Sequence, residues 1–66
     1  MLKNDPPPGT KIRFLRAVRK AKAYEKASLL RAIRKYDVDR PEDEFEVEYL
    51  GERMTVQRQD IEESST

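Results

Sequence analysis

The sharpest hydrophobic pattern in the chain is EFEVEYLGERMTVQ, residues 44–57. Phe45, Val47 and Tyr49 alternate with Glu44, Glu46 and Glu48, the period-two pattern of a strand with one buried face. Gly51-Glu52 fits the centre of a type II′ turn, whose first central residue needs positive φ. That turn predicts a hairpin with Leu50 opposite Arg53, Tyr49 opposite Met54 and Val47 opposite Val56. On the other face Glu48 meets Thr55 and Glu46 meets Gln57, so apolar pairs with apolar and polar with polar. TKIRF alternates in the same way, with Ile12 and Phe14 inward and Lys11 and Arg13 outward. After the hairpin, Asp60 is placed to start a short turn that folds Ile61 back onto the core.

Residues 10–36 support two readings. Leu29, Leu30, Ile33 and Tyr36 fall on one helical face, with Arg31, Arg34 and Lys35 away from it, and Ala, Leu, Arg and Lys are good helix formers. Thr10, however, has no Glu or Gln three residues on, and Gly9 leads straight into a β-branched pair. A hairpin alone also needs further strands or a helix to be stable. The alternatives are a mostly β domain with a strand near Ser28–Tyr36, and an α+β domain in which a basic helix or helical hairpin packs on the C-terminal hairpin.

The flanks are simpler. MLKNDPPPGT is a Pro-rich arm, flexible over residues 1–8, with three prolines favouring an extended spacer and Gly9 turning the chain into the domain. The domain covers 9–62, and 63–66 are a disordered polar tail. Met1 and Leu2 are set outside the core, which leaves few large apolar side chains in a chain of 66 residues. A core of that size leaves little room for a ligand pocket, so no small-molecule substrate is expected.

The sequence contains no cysteine and no histidine. Disulfides are excluded, a zinc site is not expected, and the commonest general base near neutral pH is missing. Asp37 and Asp39 resemble the start of a calcium loop, but Pro41 and the absent glycine spoil its spacing. There is no P-loop and no dinucleotide fingerprint, so neither a cofactor nor a catalytic centre is expected. No signal-peptide pattern and no membrane-span pattern occurs, which makes a cytoplasmic protein, alone or bound in a larger complex, the default expectation.

Charge changes the picture more than composition does. The net charge is +1, but residues 11–35 carry ten basic side chains against one acidic, and residues 36–66 eleven acidic against three basic. Cross-strand pairing of Glu44, Glu46 and Glu48 with Arg and Lys of the preceding strand accounts for part of this asymmetry. The remainder forms a basic loop, Arg16–Lys26, with Tyr24 at its tip. Arg16, Arg19, Lys20, Lys22, Tyr24 and Lys26 are therefore the candidate partner-binding residues, because Arg and Tyr are the types that carry interface energy. The alternative is nucleic-acid binding by the basic run Lys11–Lys35, with phosphates contacted by Lys11, Arg13, Arg16, Arg19, Lys20, Lys22 and Lys26 and a base stacked on Phe14 or Tyr24. A net charge near zero argues against a dedicated nucleic-acid binder.

PGTKIRFLR and FEVEYLGERMTVQRQDIE together resemble the opening strand and closing hairpin of SH3-like small β-barrels. The matching residues are Gly9, Ile12, Phe14, Phe45, Val47, Tyr49, Gly51, Val56, Asp60, Ile61 and Glu62. The resemblance implies a single small barrel with a long basic first loop and a one-turn 3₁₀ helix before the last strand. Small proteins of this type include accessory subunits of photosynthetic electron-transfer assemblies. The implied function is a non-catalytic docking module, an accessory or regulatory subunit that binds an acidic protein surface. One departure stands out. The glycine that usually precedes the second strand is replaced by Lys26 or Ala27, so RKAKAYEKA must form the loop without a turn residue.

Overall fold

The computed structural model describes residues 2–3, 5–33 and 44–64. The domain is mostly antiparallel β. Its strands are β1 (Lys11–Phe14), β2 (Lys26–Ile33), β3 (Glu44–Tyr49), β4 (Glu52–Gln57) and β5 (Ile61–Glu63), with a 3₁₀ turn, Arg58–Asp60, between β4 and β5. No α-helix forms among the described residues, so the α+β alternative does not hold. Arg34, Lys35, Tyr36 and the Asp37–Pro41 loop lie outside the described residues.

The strands form one five-stranded sheet in the order β4-β3-β2-β1-β5. Laid flat, its two edges would lie about 19 Å apart at about 4.8 Å per strand. The four residue steps from Gln57 to Ile61 span at most about 14 Å even when extended, and the 3₁₀ turn is shorter still. The sheet must therefore coil, which brings one face of every strand around a common core. It does not close into a barrel, because β4 and β5 remain its edges and share no ladder among the described residues.

The predicted inward positions are the ones that are buried. Ile12, Phe14, Phe45, Val47 and Ile61 are fully enclosed, and Leu29, Tyr49, Met54 and Val56 nearly so. Phe14 and Tyr49 meet edge to face at 5.7 Å, a favoured aromatic geometry. Leu2, set outside the core by the sequence pattern, is also buried. Its N–H donates to the Arg58 carbonyl at 3.2 Å, and its own carbonyl accepts from the Arg58 guanidinium at 3.1 Å. Arg58 lies 4.9 Å from the Phe45 ring centroid and pairs with Asp5 at 2.6 Å, so one side chain ties the start of the chain to the sheet. At the other end β5 runs through Glu63, paired with Ile12, and the Ser64 N–H donates to the Lys11 carbonyl.

Three details differ from the sequence expectation, each for a local reason. Strand β2 begins at Lys26 and carries a bulge between Leu29 and Arg31. The extra residue, Leu30, switches the inward phase from Ala27 and Leu29 to Ala32. Adjacent leucines produced by a bulge look like a helical face in the sequence. The β3–β4 hairpin turns at Leu50-Gly51, with φ of 50° and 80°, instead of at Gly51-Glu52. Two consecutive positive φ values define a type I′ turn, whose twist matches that of the flanking strands. The register therefore moves by two, pairing Tyr49 with Glu52, Glu48 with Arg53, Val47 with Met54 and Phe45 with Val56. The faces are unchanged, and Glu48 now faces a cation instead of a threonine. Finally, the first loop makes its bends without glycine by placing Arg19 at φ 52° and Tyr24 at φ 70°.

Candidate functional site

The β1–β2 loop holds the six residues singled out above. Val18 and Ala21 exchange backbone hydrogen bonds at 2.9 Å in both directions, so Arg19-Lys20 form the tip of the loop. Ala21 is buried and anchors the far side of this small hairpin in the core. Tyr24 is not at the tip, as the sequence suggested, but at the foot. Its N–H donates to the Phe14 carbonyl at 2.7 Å, and the Phe14 N–H donates to the Glu25 carbonyl at 2.9 Å.

Glu25 organises the return of the loop. Its carboxylate accepts from the Lys22 backbone N–H at 2.8 Å and from the Tyr49 hydroxyl. The Lys22 bond first, and the Tyr49 bond second, hold the Glu25 carboxyl below its ordinary value of 4.5. The same bond to Glu25 holds the Tyr49 hydroxyl above its ordinary 10.0. Both shifts favour the pair in which Glu25 is ionised and Tyr49 is neutral. The loop is tied to the β3–β4 hairpin a second time by Lys20, whose ammonium lies 3.2 Å from a Glu52 carboxylate oxygen.

The six residues play different parts. Arg16 leaves its tail exposed but places Nε 2.7 Å from Oδ1 of buried Asp60, an oxygen that accepts no aligned hydrogen bond among the described residues. Oδ2 of the same carboxylate accepts from the Gln57 N–H at 3.2 Å, closing the 3₁₀ turn. Arg16 thus neutralises a buried carboxylate, and Lys20 forms an exposed bridge. Arg19, Lys22 and Lys26 form no ion pair among the described residues. Tyr24 is 68% exposed; the Arg13 guanidinium lies 5.9 Å from its ring centroid and is itself bound by Glu62. The loop therefore carries three cations without an ion pair among the described residues and one exposed aromatic ring, a composition that attracts anionic groups and offers them one apolar contact.

The other cations of the basic run do not form one continuous stripe. Arg13 is paired with Glu62 on β5, Arg16 with Asp60, Lys20 with Glu52 on β4, and Arg31 with Glu46 on β3 at 3.5 Å. Arg34 is outside the described residues. Among the described residues no group of acidic side chains could hold a metal ion, and no helix is long and apolar enough to cross a membrane.

Leu50 escaped the sequence pattern. The expected register gave it a partner, Arg53, whereas in the type I′ turn it stands 83% exposed. A leucine preceding glycine at the end of an alternating run, where asparagine or aspartate is the usual turn residue, was the available signal. No protein-family model, no curated protein and no solved structure matches the chain.

Proposed function

We propose that this protein is a non-catalytic docking module that binds an acidic protein surface through the β1–β2 loop, as an accessory or regulatory subunit in the cytoplasm or within a larger complex. The observation that carries this reading is Tyr24. It is a large aromatic side chain, mostly exposed and held at positive φ, on the same loop as Arg19, Lys22 and Lys26, which form no ion pair among the described residues. A bulky residue at positive φ costs stability, and an exposed ring returns none of that cost through core packing. At an interface, by contrast, Tyr flanked by Arg is a common source of binding energy. The SH3-like resemblance supports the same class of protein, and it gains support from the strand order and the 3₁₀ turn before β5.

The nucleic-acid alternative gains less. Arg13, Arg16 and Lys20 would be three of its phosphate contacts, and each is already held by a carboxylate. Fewer available cations mean fewer counterions released and weaker binding. Phe14, one of the two candidate stacking rings, is buried.

The test is affinity capture by the full chain and by an Arg19→Glu, Lys22→Glu, Lys26→Glu variant, using nuclease-treated extract of the source cells. The reading expects an acidic protein retained by the wild type, released by salt and lost in the variant. Retention that depends on nucleic acid, or that survives the three charge reversals, would overturn it.

A further inference from the structure

We infer that the docking surface extends from the loop onto the β3–β4 turn, and that the groove beside Leu50 takes an acidic segment of the partner protein carrying an apolar side chain next to a carboxylate. This rests on the function proposed above and adds a second anchor and a partner chemistry. Among the described residues three non-glycine positions have positive φ: Arg19, Tyr24 and Leu50. Two of these, Tyr24 and Leu50, are also the exposed large hydrophobic residues of the described chain. The coincidence is informative, because a type I′ turn accepts asparagine or glycine without strain. At position 50 a leucine serves neither the turn nor the core.

The two anchors belong to one corner of the molecule. The Tyr24 N–H donates to the Phe14 carbonyl at 2.7 Å, and the Phe14 ring packs edge to face at 5.7 Å on Tyr49, the residue before Leu50. The Lys20–Glu52 bridge spans the same junction from the tip of the loop to the start of β4. Two links thus hold the loop and the turn side by side, so a partner can touch both at once.

Beside Leu50 lies an open groove of about 450 Å³, lined by Lys11, Lys26, Ser28, Glu48 and Gly51 as well as Leu50. Its charges decide the occupant. Lys26 has no ion pair among the described residues, and Lys11 spends its ammonium on a neutral hydroxyl, Ser28 Oγ, at 2.8 Å. Glu48, the single carboxylate of the lining, faces Arg53 across the β3–β4 ladder. Two ammonium groups and one apolar wall suit a carboxylate adjacent to an apolar side chain. They suit a nucleic acid poorly, since Leu50 has no flat face on which a base can stack.

The test is an NMR titration of the ¹⁵N-labelled full chain with a short synthetic peptide of Asp and Glu interrupted by one central Phe. The same peptide with a central Ser and a mixed-sequence oligonucleotide serve as comparisons. The inference expects the Phe peptide to move the Lys26, Leu50 and Gly51 amides together with those of the loop. The Ser peptide should bind about tenfold more weakly, and Leu50→Asn should weaken the Phe peptide about tenfold or more. Leu50→Met, which keeps the apolar side chain, should retain binding. Shifts confined to residues 16–26, or equal binding by Leu50→Asn, would overturn the extension and leave the loop reading standing. A silent spectrum, shifts with the oligonucleotide alone, or shifts that follow protein concentration through self-association would overturn both.

Discussion

Replacing Leu50 with asparagine should make the protein more stable, although it removes a large apolar side chain. Leu50 sits at φ 50° in the first central position of a type I′ turn, where an L-residue with a bulky side chain is disfavoured by roughly 1–2 kcal/mol. Asparagine tolerates this region far better and forms the preferred Asn-Gly pair with Gly51; about 1 kcal/mol of relief is a moderate expectation. The opposing term is small. Leu50 is 83% exposed, so the substitution forfeits about a sixth of the roughly 1.5–3 kcal/mol of full burial, or about 0.4 kcal/mol. The balance is about 0.6 kcal/mol in favour of the variant. Sixty-six residues unfold with an entropy near 0.14 kcal/mol/K, at about 2.1 cal/mol/K per residue. The expected rise in Tm is therefore about 4 °C, readable by calorimetry or thermal circular dichroism. Leu50→Val is the control: a β-branched residue at positive φ is more strained than leucine, so its Tm should fall. An unchanged or lower Tm for Leu50→Asn, or a rise for Leu50→Val, would refute the reasoning about the turn.

Other expectations follow from the ties that hold the loop and the arm. Leu2→Ala should cost about 2–4 kcal/mol in a urea melt, because Leu2 is a fully buried side chain; a loss below about 0.5 kcal/mol would place the residue outside the core. Arg16→Ala leaves the buried Asp60 carboxylate without its counter-charge and should cost about 1–3 kcal/mol, whereas Lys20→Ala, which removes an exposed bridge, should cost less than about 1 kcal/mol. A reversed order in chemical denaturation would contradict the division of labour in the loop. The Glu25–Tyr49 bond stabilises between its two ordinary values of 4.5 and 10.0. Its contribution is lost as pH falls through the depressed Glu25 value and as pH rises through the elevated Tyr49 value. In Tyr49→Phe, carboxyl ¹³C titration should show the Glu25 value moving up but stopping short of 4.5, because the larger Lys22 bond remains; no movement would remove the link between loop and turn.

Much of the fold was legible because strict alternation leaves little choice. The inward set Ile12, Phe14, Phe45, Val47, Tyr49, Met54 and Val56 could be read from period two alone; Ile61 was reached through a turn expected to start at Asp60, whereas the 3₁₀ turn Arg58–Asp60 ends there. Strand β2 was ambiguous for a physical reason: the bulge at Leu30 inserts one residue and breaks the period that identifies a strand. The hairpin register was missed because Leu-Gly is an unusual type I′ pair, and the glycine-based type II′ turn fitted both faces equally well. Leu2 was missed because its burial depends on Arg58, 56 residues away, and no local pattern carries that information.

The six loop positions were legible as a basic cluster with one aromatic, but their separate parts were not. Whether an arginine neutralises a buried carboxylate or stands without a partner depends on which strand the sheet brings beside it. Arg16 meets Asp60 only because β1 and β5 are neighbours. Leu50 could join the candidate surface only once the turn was known.

The central claim, that the loop around Tyr24 receives acidic protein and not nucleic acid, is tested most directly by one set of backbone NMR titrations. The labelled full chain is titrated with an acidic polypeptide and with single- and double-stranded oligonucleotides, each at low and physiological salt. The account predicts that the amides of Arg19, Lys22, Tyr24 and Lys26 move with the polypeptide and persist in moving at physiological salt, where the oligonucleotides leave them still. Shifts of these same amides with an oligonucleotide at physiological salt, and none with the polypeptide, would contradict it.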